Sequence, residues 1–514
     1  MFAACPVSRR RSAPTVVDMT GTAPRWTLHE VRDQFRPSTT AELERLASEE
    51  GWREWRQRFG IPLGTPFLLA PDMSYDVELN EFFYSTDMLG SRPLTRLGYA
   101  RDLKGFFDFL SHSRNSTNWR DASSEDLRAY ATWRRDDLKG PRVSPDTWNR
   151  AVSALDRFYK WAAREGHVAQ SPLEQRAVRV GAWSRRGQRH AGTGTTAAAY
   201  SHAGRKSAVS WLPPRSYRLW RDVGIRGYAA SGVADPTFRG RWADRNAAFA
   251  DLMVNTGMRL TEQSALTTVE IPTFRDSRGH HRFWLPAPIA KGGSARWVYV
   301  PSHVLRALHG YIVIDRRECI ERARERGVYD QAGYLYLDDN MRVGSGLDTD
   351  TSPRATLAKL APDERRRLLV AGEQGWEPAS LWIGENGQPL TTSTWKDMFA
   401  AANRRCQRQG IALAAHAHLL RHTFAVVELE RLQRGHIRNL AKLNLAQRSH
   451  YSQVFGDPLD WIRQRLGHRS ITTTQIYTHT LRDLEMETRL ALVEDPWDDP
   501  RDENQVFADI TGSA

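Results

Sequence analysis

Apolar positions fall into helical register after Leu94, where Leu103, Phe106, Phe107 and Leu110 recur at the i, i+3, i+4, i+7 interval of a helix with one buried stripe. Ser123 followed three residues on by Asp126 is close to a capping box and predicts a second helix start. Ser144 followed by Pro145 predicts a third, which carries Val152, Leu155, Tyr159 and Ala162 and stops at Gly166. Short helices this close together predict a compact all-helical domain over 76–176. Upstream, residues 1–75 mix a Pro/Ser/Thr-rich start with a stretch from Glu42 to Phe59 patterned as one amphipathic helix, and the sequence assigns this extension no role.

Residues 177–210 carry Gly, Ser, Thr, Arg and Lys with few large apolar side chains, a composition that reads as a basic flexible linker. A second domain is expected over 211–495. Phe249, Leu252 and Met253 mark a buried helix ending at Asn255-Thr256-Gly257, where Gly257 is a C-cap candidate. His281–Pro286 and Arg296–Pro301 alternate apolar and polar residues around a Gly-rich tip, the pattern of a β-hairpin. A helix from 418 to about 432 buries Leu420, Phe424 and Val427, and a shorter one with Leu459, Ile462 and Leu466 ends at Gly467. The expected fold is mainly α with a small β-sheet: a helical domain followed by a mixed α/β domain.

A formal net charge of +13 suits a partner with a phosphate backbone, which Lys and Arg bind by displacing counterions. No run approaches the ~18 apolar residues that a spanning helix needs, and Arg9-Arg10-Arg11 precedes no signal-peptide core, so a cytoplasmic, membrane-free protein is expected. The three cysteines, Cys5, Cys319 and Cys406, have no metal or disulfide spacing.

Three strings carry the chemistry: Thr256-Gly257-Met258-Arg259-Leu260-Thr261-Glu262, His418-Leu419-Leu420-Arg421-His422-Thr423-Phe424-Ala425, and Leu466-Gly467-His468 through Tyr477-Thr478-His479. Arg259 falls where a guanidinium can be aimed at a phosphate while Glu262 braces the helix from its first turn. His418 and Arg421 lie one turn apart on a helix face. His418 and His422 have the i, i+4 spacing of zinc ligands, with His416 nearby, but no third carboxylate or Cys ligand is evident, and no metal or cofactor is expected.

In this order, across roughly residues 76 to 495, the strings resemble the tyrosine recombinases of the phage-integrase family. The resemblance implies a core-binding DNA domain over 76–176, a catalytic domain over 211–495 and a covalent 3′-phosphotyrosine formed by Tyr477. Arg259 and Arg421 would stabilise the phosphorane and favour the phenolate, since only about one phenol in a thousand is ionised near pH 7. His418 and His468 would hydrogen-bond non-bridging oxygens or shuttle the tyrosyl proton, and Lys291, at the hairpin tip, would give a proton to the departing 5′-oxygen. Arg96, Arg101, Lys104, Arg150 and Lys160 are candidate DNA contacts, though for any one of them taken singly solvated helix surface is the favoured reading.

The implied partners are double-stranded DNA, further copies in a homotetramer on paired sites, and accessory DNA-bending or directionality factors. A type IB topoisomerase or telomere resolvase shares the chemistry, and a non-catalytic DNA binder shares the scaffold. Two stretches, 303–380, with a charged helix expected near Arg316 to Arg326 and an Asp/Gly/Ser/Thr-rich loop near Asp338 to Thr351, and 431–456, exceed the family pattern and read as loop insertions, and residues 496–514 form an acidic tail.

Overall fold

The computed structural model describes residues 24–32, 49–183, 189–201, 209–274, 279–330, 333–337, 357–372, 374–444, 447 and 457–490, and it divides into two units, Met1–Arg205 and Lys206–Ala514. The first is built on helices α1 (Pro93–Ser113), α2 (Ser124–Arg135) and α3 (Pro145–Arg164). Leu103, Phe106, Phe107 and Leu110 of α1 pack with Val152, Leu155, Phe158 and Tyr159 of α3 in one core. Ser123 and Asp126 exchange both capping bonds, the Ser123 N–H donating to Asp126 Oδ2 at 2.9 Å and the Asp126 N–H to Ser123 Oγ at 3.3 Å.

Part of the N-terminal extension belongs to this core. Strands β1 (Thr27–Glu30) and β2 (Pro66–Leu69) pair antiparallel, Leu68 is buried with the α1 and α3 side chains, and the Trp26 N–H donates to Asp108 of α1 at 2.9 Å. Within the stretch read as one helix from Glu42, a helix spans Glu49–Arg58, and 33–48 lie outside the described residues.

In place of a flexible connector, strands β3 (Gln175–Trp183) and β4 (Arg189–Ala197) form an antiparallel ladder from Gln175↔Ala197 to Trp183↔Arg189. Val and Thr in a run poor in large side chains still favour extended backbone, which a composition reading for linkers overlooks. The chain then returns to α3, where Trp148 Nε1 donates to the Ala199 carbonyl at 2.8 Å.

The second unit is organised on α4 (Ala243–Thr256), whose Phe249, Leu252 and Met253 are buried with Trp382, Trp395 and Leu420. Strands β5 (His280–Leu285) and β6 (Arg296–Pro301) form the hairpin, in register from His280↔Pro301 to Leu285↔Arg296. Helix α5 (Ala417–Ala441) outruns the expected end near 432, so residues 431–441 of the apparent insertion are helix. On α5 the apolar face is buried through Leu420, Phe424 and Val426, whereas Val427 is only half-buried, because neighbours enclose this helix on more than one side. The 303–380 stretch contains the expected charged helix, as Arg317–Glu325, and in addition strands β7 (Leu335–Leu337), β8 (Leu368–Gly372) and β9 (Gly375–Pro378), with a small apolar cluster of Leu337, Leu357, Leu368 and Ala379. The 338–351 loop and the acidic tail lie outside the described residues.

Candidate active site

Arg259 stands in a three-residue connection because Gly257 ends α4. Gly257 adopts φ 64°, ψ 17°, and a Cβ there would fall 2.3 Å from the Phe424 ring, so both backbone and space require glycine. Arg259 then caps the short helix Leu260–Ser264, its N–H donating to Glu262 Oε2 and its Nη1 to Oε1, both at 2.9 Å.

Glu262 is fully buried and collects three further donors, the Lys291 N–H at 3.2 Å, Arg296 Nη2 at 2.6 Å and Arg296 Nη1 at 3.4 Å. Burial alone would raise its pKa, but the hydrogen bond and charge of Arg296, with the N–H and charge of Arg259, bring it down to about 2. This one carboxylate therefore ties the Arg259 turn to the hairpin. The Lys291 side chain is exposed at the hairpin tip, beside Gly292, whose carbonyl accepts from Arg469.

Arg421 projects from the first turns of α5, whose N-cap is His416, with Nδ1 accepting from the Leu419 N–H at 3.2 Å. Only 2% exposed, its guanidinium donates Nη1 to Gly257 O at 2.5 Å and Nη2 to Leu466 O at 2.7 Å. It thus gives a cation to the C-terminal ends of α4 and of α6 (Pro458–Leu466), the ends whose carbonyls carry partial negative charge. Burial and the nearby charge of Arg259 pull its pKa down to about 9, so it remains a cation at neutral pH.

Gly467 ends α6 at φ 64°, ψ 44°, and a Cβ there would lie 2.9 Å from Ser294 Oγ and 3.0 Å from Arg296 Nη1. His468 follows at once. Arg421 Nη2 lies 3.1 Å from its Nε2, and an arginine only donates, so Nε2 accepts. The ring hydrogen of the neutral form then sits on Nδ1 and donates to Thr474 Oγ1 at 3.0 Å. Burial and then Arg421, Arg259, Arg296 and His422 lower its pKa to about 3, which keeps it in that neutral form.

Tyr477, on α7 (Thr472–Leu490), is 2% exposed, and its Oη lies 2.9 Å from His422 Nδ1. The His418 and His422 rings meet edge to face at 4.2 Å, and the His468 and Tyr477 rings lie nearly parallel at 6.4 Å. Burial raises the phenol pKa, while Arg421 and Arg259 act against that rise. His418 is exposed, and its pKa is lowered by desolvation and by Arg421, His416, Lys291 and Arg259.

The six candidate residues thus lie close together in separate bonded groups: Arg259 and the Lys291 backbone meet on Glu262, Arg421 bonds His468, and Tyr477 bonds His422, whose ring His418 touches. The sequence missed three supporting members. Arg296 occupies an inward-facing position of β6, alternating with buried Val298 and Val300, and a buried arginine in a strand implies a carboxylate partner. His422 and Thr474 lie within the quoted strings, but the motifs assigned His422 a role only as a possible metal ligand and Thr474 none. As for that metal reading, His416 Nδ1 caps α5 and His422 Nδ1 meets Tyr477, and among the described residues no group of three or more His, Cys, Asp or Glu is placed to hold a metal.

The candidate DNA contacts in the first unit fare differently. Arg96 is buried, its Nη1 donating to Thr65 Oγ1 at 3.5 Å, so its guanidinium is turned inward. Lys104 pairs with Asp108 at 2.6 Å, Arg150 with Asp102 at 2.8 Å through both arms of its fork, and Lys160 with Asp156 at 2.8 Å. Among the described residues, Arg101 alone of the five is exposed with no acidic side chain paired to it.

Residues 89–166 match the N-terminal SAM-like domain of phage integrases. Tyrosine recombinase XerC of Lactobacillus delbrueckii subsp. bulgaricus is 22% identical over 398 residues, covering 77% of this chain and 92% of that protein. Tyrosine recombinase XerC of Xylella fastidiosa is 30% identical over 144 residues, covering 26% of this chain and 40% of that one. Among solved structures, a XerH site-specific recombinase bound to palindromic difH substrate aligns with TM-score 0.44 at 14% identity, over 81% of this chain and 88% of that chain.

Proposed function

We propose that this chain is a tyrosine recombinase of the phage-integrase family, the recombinase or integrase of a mobile element, joining strands through a 3′-phosphotyrosine at Tyr477. The observation that supports this reading is the gathering of a buried phenol, two arginines whose charges reach it, and the hairpin that bears Lys291 in one place.

Each residue type then has a role. Arg421 spends three of its five N–H donors on Gly257, Leu466 and His468, which leaves two for the non-bridging oxygens of a scissile phosphate. Arg259 spends one side-chain donor on Glu262 and presents the rest. Their charges stabilise the pentacoordinate phosphorane and the phenolate that precedes it. The Lys291 ammonium, on its exposed tip, protonates the leaving 5′-oxygen, and His418 donates to the phosphate from the mouth of the site. The phosphotyrosine conserves the ester energy, so a second strand's 5′-hydroxyl reseals it. In this reading the protein acts in the cytoplasm as a homotetramer on paired DNA sites, helped by DNA-bending or directionality factors.

The test uses a supercoiled plasmid carrying two direct repeats of the DNA that flanks the protein's own gene. Resolution into two circles by the wild type, and none by Tyr477→Phe, is the expected result. Relaxation of a plasmid without repeats, and no resolution, marks a topoisomerase instead. Binding with neither outcome marks a non-catalytic DNA protein.

A further inference from the structure

We infer that His422 is the proton acceptor for Tyr477, taking the phenolic hydrogen on Nδ1 as the phenolic oxygen attacks phosphorus. The inference rests on the reading of Tyr477 as nucleophile and goes beyond it by naming where the proton goes. Three histidines surround the phenol, and their bonding separates them. His468 has both ring nitrogens engaged, Nε2 accepting from Arg421 at 3.1 Å and Nδ1 facing Thr474 at 3.0 Å. His418 touches His422, its ring 4.2 Å away, rather than the phenol. Only His422 places a nitrogen within hydrogen-bond reach of Tyr477 Oη, at 2.9 Å, which is the geometry a general base needs.

The surroundings of His422 suit the task. On α5 it neighbours His416, His418 and Arg421, and across from it lie Tyr477 on α7 and His468 in the α6–α7 turn. Burial, and then His418, Arg421 and His416, lower its pKa to about 4, so the ring is neutral and its lone pair available at pH 7. A scissile phosphate brings negative charge among the same groups and favours the imidazolium, so the acceptor strengthens as substrate enters.

The step balances. As the Tyr477 Oη–phosphorus bond forms, the phenolic proton passes to His422 Nδ1, the bond from phosphorus to the 5′-oxygen breaks, and Lys291 supplies that oxygen's proton. On religation the attacking 5′-hydroxyl returns its proton to Lys291, and the phenolate leaving phosphorus recovers its own from His422.

The experiment measures single-turnover formation of the covalent adduct against pH, on a nicked duplex of the flanking DNA, for wild type, His422→Ala, His422→Asn and Tyr477→Phe. With His422→Ala the rate is expected to fall by ~10² to ~10⁴-fold and the acid limb of the pH profile to disappear, with partial recovery in added imidazole. His422→Asn keeps a hydrogen-bonding group beside Oη and cannot take up the proton, so it is expected to stay near the alanine rate. Two outcomes overturn the assignment alone: His422→Ala within about threefold of wild type, or His422→Asn restoring the full rate. Absence of a wild-type adduct on DNA that the protein binds overturns the recombinase reading as well, which distinguishes the two failures.

Discussion

Arg421 Nη2 and His468 Nε2 stand 3.1 Å apart, and this contact fixes which ring nitrogen of His468 carries the hydrogen. Because Nε2 accepts, Nδ1 donates to Thr474 Oγ1, and the threonine, fully buried, holds the imidazole that in turn holds the arginine. Thr474→Val keeps the volume and removes the acceptor. A neutral hydrogen bond is worth ~0.5–1.5 kcal/mol, so strand cleavage is expected to slow by a few-fold to about tenfold, with Thr474→Ser close to wild type. Single-turnover cleavage by the two variants checks this.

Glu262 gathers Arg259, Arg296 and the Lys291 N–H in a buried cluster. Glu262→Gln leaves Arg296, itself buried, without its counter-charge, and breaking a buried pair in this way costs about 3–5 kcal/mol. Urea unfolding of the DNA-free protein is expected to show that loss, and cleavage to fall with it. A midpoint unchanged from wild type contradicts the role given to Glu262.

The histidines set an acid sensitivity. In the folded protein His468 and His422 have pKa values lowered to about 3 and about 4, below the ordinary value of 6.5. The unfolded chain therefore binds more protons than the folded one between pH 6.5 and these values, and stability falls as pH is lowered through that window. The melting temperature without DNA is expected to drop between about pH 6.5 and pH 4. His422→Asn and His468→Asn should each flatten the slope, which parallel thermal melts measure.

Lys291 has its backbone fixed on Glu262 and its side chain exposed. Lys291→Ala is expected to slow cleavage by ~10² to ~10⁴-fold while leaving the melting temperature within about a degree. A 5′-bridging phosphorothiolate, whose thiolate leaves without a proton, should restore the rate. Failure of that substrate to rescue the variant argues for a role other than proton donation.

Much of the fold and the site could be read from the sequence because short-range rules governed it. Gly257 and Gly467 were legible as helix ends, the Ser123 and Ser144 caps as helix starts, and β5–β6 by alternation. What escaped depended on contacts distant in sequence. Lys104, Arg150 and Lys160 look like free cations along the chain, and only folding reveals Asp108, Asp102 and Asp156 beside them. The β3–β4 ladder escaped because a run of Gly, Thr and Arg has a linker's composition, and pairing depends on the partner strand. His422 escaped because its partner lies 55 residues away on α7.

The central claim is that Tyr477 is the nucleophile. It is tested most directly by incubating the protein with a nicked suicide duplex of its gene's flanking DNA in EDTA, denaturing, and mapping the DNA-linked peptide by mass spectrometry. The account predicts one adduct, a 3′-phosphate ester on Tyr477, that is absent from Tyr477→Phe. Tight binding of the duplex with no adduct, or an adduct on any other residue, would contradict it.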